Sequence, residues 1–525
     1  MKFKPLALVA ATASIIAVFL IFFAQSPRSR LNVMQFSGLA FVAIVAVRTL
    51  SGSRASPEPE PKKAFKIPFA GIAIGFAAWM PALACGFISD DFGVLHDAGR
   101  GSMLVQLWDH LRYGHVGTFL RPLGFASIYL DYALWGFSPV PYHATNLLLH
   151  LASVAAVYFL ARNLGAARDV AAVTAGVFAA MPSQAEAVVW VGARFDLLAT
   201  ALTLWAVVSY LYFKKSRSPA AYFAVLLLYL LAMLSKENGF LLPLFLIAIE
   251  VITFRAVKIR DLVPPIGLGI LTFVYRWTTL SGIGGYLKSG SAASLNIGPK
   301  TLEALFVRGP SQLILGLNWT QPPGFFAIGI ASLAVAFLVT LGMLSRPSWK
   351  SCARIKLGMA WVFLSILPAH FLLMIDAGLT NSRVLYMASA GAALVLGQLI
   401  GEIPQRRFRQ TVVVALSLLF SLGVFHNIGA WRWTSRLSQQ TLSDIRNLEP
   451  APPPQTEFVI AGLPDTVRGV FLFHASLNES LRLAYNRDDI SARRDSDRVM
   501  DHEDPQRQIH LLWRESSGSL VERQN

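Results

Sequence analysis

Stretches of about twenty predominantly apolar residues recur along this chain from its start to about residue 430. No other feature constrains the fold as strongly. About twenty apolar residues in a helix match the hydrocarbon thickness of a bilayer, and a backbone in lipid has to satisfy its own hydrogen bonds. About thirteen such segments are legible, some of them short, which predicts an all-α polytopic membrane protein. Charge agrees: only 14% of the residues are Asp, Glu, Lys or Arg, against about 25% in a soluble globule.

A formal net charge of +16 invites a nucleic-acid reading. The positions of the cations argue against it. Lys and Arg fall in short clusters between apolar runs, at 162–168, 214–217, 255–260, 346–356 and 406–409, which is the positive-inside pattern rather than a phosphate-binding stripe. Residues 1–50 are expected to form a transmembrane hairpin. Its first segment has a basic start but no small-residue cleavage site ahead of a soluble domain, so it reads as an anchor. Residues 51–66, rich in Pro, Glu and Lys, form a cytoplasmic linker by virtue of Arg54, Lys62, Lys63 and Lys66, with Arg28 and Arg30 the one exception to the charge rule.

The span 67–87 then runs outward and places Asp90 and Asp91 outside the cytoplasm. The catalytic transmembrane domain is expected over 67–430, with a first extracytoplasmic loop at 87–142. Other loops on that face hold 183–187, 236–239, 281–309 and 376–383. A last span at 411–429 leaves residues 431–525 outside, so the N-terminus is cytoplasmic and the C-terminus is not. In that tail Phe458 to Asp465 reads as strand then turn and 475–485 as helix, a small α/β appendage, with 487–507 loose. Cys85 and Cys352 fall on opposite faces and predict no disulfide. No zinc ligand set or helical repeat is present.

The chemistry begins at Ile88-Ser89-Asp90-Asp91-Phe92-Gly93. Adjacent carboxylates repel when both are ionised, so one tends to hold a proton or both share a cation, as suits a general base or a metal ligand. A helix cap explains Ser-Asp-Asp equally well. Further polar residues gather on the same face: His96, Asp97, Arg121, Asp131, His143, Asn146, Glu186, Arg194, Asp196, Lys236, Glu237, Arg276, Arg383 and Tyr386. Individually an Arg here can snorkel, and Lys236-Glu237 can be an ion pair closing a hairpin. Together they suit an anionic leaving group and a hydroxyl nucleophile. His150, a turn inside an apolar helix, reads as a packed, hydrogen-bonded histidine.

The motifs Leu120-Arg121-Pro122-Leu123, Tyr132-Ala133-Leu134-Trp135-Gly136-Phe137-Ser138-Pro139, Tyr142-His143, Asn146 to His150, Glu186-Ala187-Val188, Gly192 to Ala199, Leu234 to Gly239 and Arg383 to Gly391 follow one another in order. In this they resemble the tetratricopeptide-associated transmembrane O-mannosyltransferases and their bacterial relatives, which are GT-C glycosyltransferases. Two departures stand out. Met181-Pro182 replaces a frequent His-Pro, and the repeat array is replaced by the short appendage.

The resemblance implies a GT-C-like bundle in a bacterial inner (plasma) membrane. It implies an inverting glycosyltransferase that moves a sugar, mannose-like hexose first, from a polyprenyl-phosphate carrier to an extracytoplasmic protein or glycan hydroxyl. Asp90 looks like the base, with Asp91 a helper or, with Asp90, the ligand of a divalent cation such as Mg or Mn. Arg121, Lys236, Arg276 and Arg383 are candidates for the carrier phosphate, and Glu186 and Asp196 for orienting sugar hydroxyls or Asp90. His143, Arg194, Glu237 and Tyr386 complete the expected donor-binding set. A multi-spanning transporter or flippase of a lipid-linked or anionic substrate is the alternative, distinguished by ligand groups near the bilayer midplane and paired halves.

Overall fold

The computed structural model describes residues 69–115, 118–285, 302–322, 324–345, 347–370, 375–495, 507–514 and 518–522. The N-terminal hairpin, the linker and most of the loop at 281–309 lie outside the described residues. The chain is mostly helical. Among the described residues six helices are long and apolar enough to cross a membrane: Pro139–Asn163, Val191–Ser216, Glu237–Phe254, Gly324–Leu344, Ser382–Gly401 and Arg406–Leu448. A seventh span is obtained if Arg168–Ala179 and Pro182–Val189, bent by 47°, count as one. Other expected segments are shorter or interrupted. Phe69–Ala84 and Pro219–Met233 are apolar but short, and Pro264 and Pro265 lie inside the helix Ile259–Leu280.

In chain order, α1 (Phe69–Trp79) leads through a 3-10 turn to α2 (Asp91–Gly99), α3 (Met103–Tyr113) and α4 (Pro122–Trp135). The expected polar loop is thus largely helical. α3 turns Leu104, Val105 and Trp108 outward, the character of a helix lying in a membrane interface. Next come α5 (Pro139–Asn163), α6 (Arg168–Ala179), the single-turn α7 (Ala185–Val189), α8 (Arg194–Ser216) and α9 (Pro219–Met233). α5 and α9 carry Pro in their first turn, where its missing N–H costs nothing. After α10 (Leu242–Ile249), which ends in a π-turn, follow α11 (Ile259–Leu280), α12 (Gly309–Ile314), α13 (Gly324–Leu344), α14 (Trp349–His370), α15 (Tyr386–Gly401) and α16 (Arg406–Leu448).

Small residues let these helices touch, as lipid provides no hydrophobic drive for association. A Cβ at Gly391 would stand 2.5 Å from the carbonyl oxygen of Gly358, and one at Gly358 would stand 2.7 Å from that of Gly391. α14 and α15 therefore cross backbone to backbone. Beside the crossing Trp361 stacks on Phe245 at 3.8 Å and donates its indole N–H to the Met387 carbonyl at 2.9 Å.

α16 does not stop at residue 429 but continues for 43 residues in all. Its second half carries the chain to a four-stranded sheet of order β4-β1-β5-β6. β1 (Thr456–Ala461) pairs parallel with β4 (Ser491–Arg494) and β5 (Arg507–Arg514), and β5 pairs antiparallel with β6 (Ser519–Glu522). The helix α17 (Leu477–Tyr485) packs on it, Tyr485 stacking with Phe458 at 5.9 Å. The tail expected as a small α/β appendage thus contains a small sheet beside the helical bundle. Of the segment expected to be loose, the first part supplies β4, and 496–506 lie outside the described residues.

A short hairpin, β2 (Thr466–Val467) and β3 (Val470–Phe471), turns through Arg468 and Gly469, both at positive φ, as a two-residue turn demands. Its tip docks on the helical bundle. Arg468 and Gly469 carbonyls accept from Asn318 at 2.8 Å and from Thr380 at 2.7 Å.

Gly391→Val is expected to force α14 and α15 apart. Overpacking of this kind costs about 1–3 kcal/mol, read as a lower thermal midpoint of the detergent-solubilised protein, whereas Gly267→Ala, a position with open space around it, should leave the midpoint unchanged.

Candidate active site

Ser89, at φ 50°, turns the chain between the 3-10 turn and α2, and its N–H donates to the Leu472 carbonyl at 2.8 Å. The two following carboxylates then diverge. Asp91 is 2% exposed, and its oxygens accept the backbone N–H of Ile88 at 3.1 Å and of Gly192 at 2.8 Å. Burial pushes its carboxyl up to about 7 despite those bonds. Asp90 occupies the cap position of α2 but makes no side-chain cap bond. It is half-buried. Burial raises its carboxyl above the ordinary range, with the cations of His474 and Arg383 opposing. Asp91 holds the turn, and Asp90 is left facing the site.

Arg383 stands in a 3-10 turn, Ser382–Leu385, that opens α15. It is 8% exposed, so it does not snorkel. Its guanidinium pairs with Glu186 of α7, its backbone N–H donates to the same carboxylate at 2.8 Å, and it lies 5.0 Å over the Trp190 ring. Glu186 therefore positions Arg383.

A second cluster forms at the ends of α4, α8, α9 and α11. Arg121 reaches Glu237 at 2.6 Å and Arg276 reaches it at 3.0 Å, while Lys236 pairs with Asp196. Lys236 and Glu237 thus do not close a hairpin on one another, because each finds its partner on another element. These five residues form one end of a cavity of about 630 Å³, whose remaining wall is mainly apolar: Tyr229, Phe240, Leu244, Ile266, Ile270 and Phe273. Three cations against two carboxylates leave the polar end with one net positive charge. Val384, next to Arg383, lines the same cavity and connects it to the first cluster.

Arg194, His143 and Tyr386, also expected among the donor-binding set, lie in the packed interior. Arg194 is 0% exposed and is held by Asp131 at 2.7 Å, Asn146 at 2.8 Å and the carbonyls of Ser127 and Tyr142 at 3.0 and 2.9 Å. Its donors are taken up in tying α4, α5 and α8 together. His143 is buried on α5. Tyr386 is buried, and its hydroxyl meets Nδ1 of His150 at 3.0 Å, while Nε2 of His150 meets the Ala179 carbonyl at 3.1 Å. His96 and Asp97 face Asp488 at 2.9 Å and His115 at 3.9 Å. For Arg194 and Tyr386, burial among helices supplied partners that spacing along the chain does not reveal.

The residues do not fit a resident divalent cation. Both Asp91 oxygens are engaged by backbone N–H groups, and among the described residues no three His, Cys, Asp or Glu side chains converge as metal ligands. The residues that sequence reasoning missed are His474 and Asp465, which approach Asp90 from the C-terminal region. Their only sequence signal is that they flank a short strand-turn-strand stretch.

Asp131→Asn leaves the Arg194 guanidinium buried without its counter-charge. Removing one partner of a buried pair costs about 3–5 kcal/mol, so this variant should lose its thermal transition and monodisperse elution, a failure of folding rather than of chemistry.

No protein-family profile matches the chain. Curated relatives do. Protein O-mannosyl-transferase Tmtc1 of Drosophila melanogaster is 26% identical over 275 residues, 50% of this chain and 32% of the relative. Protein O-mannosyl-transferase F38B6.6 of Caenorhabditis elegans is 23% identical over 344 residues, 62% of this chain and 48% of the relative. The chain thus spans less than half the length of these relatives. Among solved structures, ArnT from Cupriavidus metallidurans bound to undecaprenyl phosphate aligns with a TM-score of 0.42 at 16% identity, covering 82% of this chain and 86% of that one. In sequence, the chain resembles the protein O-mannosyl-transferases, the group to which its ordered motifs from Leu120 to Gly391 point.

Proposed function

We propose that this chain is an inverting membrane glycosyltransferase of GT-C-like architecture. It moves a sugar, a mannose-like hexose, from a polyprenyl-phosphate carrier to a protein or glycan hydroxyl on the extracytoplasmic face of the membrane. The observation that carries the reading is the cavity with a cationic end and an apolar length, joined through Val384 to the turn of Arg383, whose charge acts on Asp90. That shape suits a lipid with a phosphate head better than it suits a soluble donor. The relatives' names, protein O-mannosyl-transferase, support the same reaction class.

The residues divide the work. Arg121, Lys236 and Arg276 face the phosphate, with Glu237 and Asp196 holding their side chains in place before the donor arrives. A glycosyl phosphodiester carries one negative charge, and a departing phosphate monoester gains a second. The cations therefore stabilise charge that develops as the bond breaks, which is the useful kind of electrostatic catalysis. Asp90 accepts the acceptor's hydroxyl proton as the oxygen forms its bond to the anomeric carbon and the carbon–phosphate-oxygen bond breaks on the opposite side. One displacement inverts the anomeric centre. The alternation of basic connectors supports a topology with Asp90 and the sheet domain on the extracytoplasmic side.

Asp90→Asn keeps size and hydrogen bonding but removes the base. Transfer from a synthetic polyprenyl-phosphate mannose to a Ser/Thr peptide in liposomes should fall by about two to four powers of ten with protein level unchanged. Wild-type transfer by this variant would end the reading. Arg276→Lys keeps the charge but loses the planar donor fork. A charge-assisted contact contributes about 1.5–3 kcal/mol, so donor use should weaken roughly tenfold to a hundredfold, and saturating acceptor should not restore it.

A further inference from the structure

We infer that the C-terminal sheet domain completes this site, its loop after β3 supplying His474 as a positioning residue beside Asp90. The inference rests on the assignment of Asp90 as the base. Geometry brings the two together. The Leu472 carbonyl accepts from Ser89, the residue before Asp90, at 2.8 Å. The Phe473 ring lies 5.9 Å from that of Phe92. A Cβ at Gly93 would stand 2.8 Å from the Ser476 hydroxyl, so the loop lies directly on the start of α2. Leu472, Phe473 and Ser476 are buried at this contact, and between them the His474 side chain stays 44% exposed.

His474 is held from behind. Its Nδ1 meets the Asp465 carboxylate at 3.3 Å, and Arg494 donates both to Asp465 at 3.1 Å and to the His474 carbonyl at 3.3 Å. Its φ of 35° is a conformation that a side-chain-bearing residue adopts at a cost, so surrounding contacts must impose it. With Nδ1 committed to a carboxylate, the ring favours the imidazolium form, and Nε2–H is left for a second partner. The groups facing His474 are Asp465, Asp90 and Arg494, and those facing Asp90 are His474, Arg383, Asp465 and Asp91. The hydrogen bond to Asp465 raises the imidazole above its ordinary value. Of the cations that oppose the effect of burial on Asp90, His474 is the larger and Arg383 the smaller.

The consequence is chemical. A base buried beside helix ends is useful only if it is ionised when the hydroxyl arrives, and the cation beside it works against the effect of burial in that direction. The sheet domain would then be part of the reaction centre.

The test reads Asp90 directly and needs neither sugar nor acceptor. The full-length protein in nanodiscs is treated with a water-soluble carbodiimide and an amine, which modify carboxyls through their protonated form, and labelling of Asp90 is followed against pH by peptide mass spectrometry. Removing a neighbouring cation raises a carboxyl's pKa, so in His474→Gln the pH of half-labelling should move up by roughly one unit. Asp465→Asn, which releases the ring, should move it in the same direction by less. His474→Lys should return it to the wild-type position. An unmoved midpoint in both His474→Gln and Asp465→Asn, with thermal midpoints unchanged, would overturn the inference. A moved midpoint together with wild-type transfer by Asp90→Asn would instead overturn the base assignment and leave the His474 contact standing.

Discussion

Charge near a bilayer has to be paired, and the arrangement of this protein follows from that requirement. An ionised side chain removed from water without a partner costs several kcal/mol, and several charges at buried helix ends have recruited an opposite charge from another element. Arg194 joins Asp131 across α4 and α8. Glu186 joins Arg383 across α7 and the start of α15. Glu237 gathers Arg121 and Arg276 from two further helices. At the opposite end of α8, Lys214 meets Glu250 at 2.7 Å and Asp261 at 3.0 Å. Pairs of this kind add little net stability compared with apolar packing, but they dictate which helix ends meet.

The same pairs separate structure from chemistry. Arg194 is fully surrounded, its donors held by protein partners. Arg121, Lys236 and Arg276, by contrast, line a cavity, and their carboxylate partners leave a surplus of positive charge. On the proposed function, a phosphate entering that end would substitute for part of a network that is already oriented, so little reorganisation would be needed at the moment of reaction. The small-residue crossing of α14 and α15 matters for the same reason, because α15 begins where Arg383 is held.

Much of this was legible from residue order. Apolar segment length announced the membrane, and the ordered motifs announced a group of relatives. Asp90-Asp91 marked the turn on which the first cluster is built. What the chain order could not convey was which of two adjacent carboxylates would be spent on backbone N–H groups, since Gly192, one of the donors to Asp91, lies far away in sequence. Nor could it separate Arg194 from Arg383. Both are arginines at helix starts in recognisable motifs, and only their neighbours differ.

The sequence by itself determined that this protein is helical, lives in a membrane and carries its polar chemistry at helix ends, because hydropathy and the cost of unpaired backbone act locally along the chain. Tertiary structure alone decided the rest. It bent one apolar segment by 47° between Ala179 and Pro182. It ran α16 through to a sheet, and it laid the Leu472–Ser476 stretch of that sheet domain against the turn bearing Asp90. Those outcomes depend on partners hundreds of residues apart. Pairing a charge or fitting a glycine against another backbone is a property of the packed chain and of no segment within it.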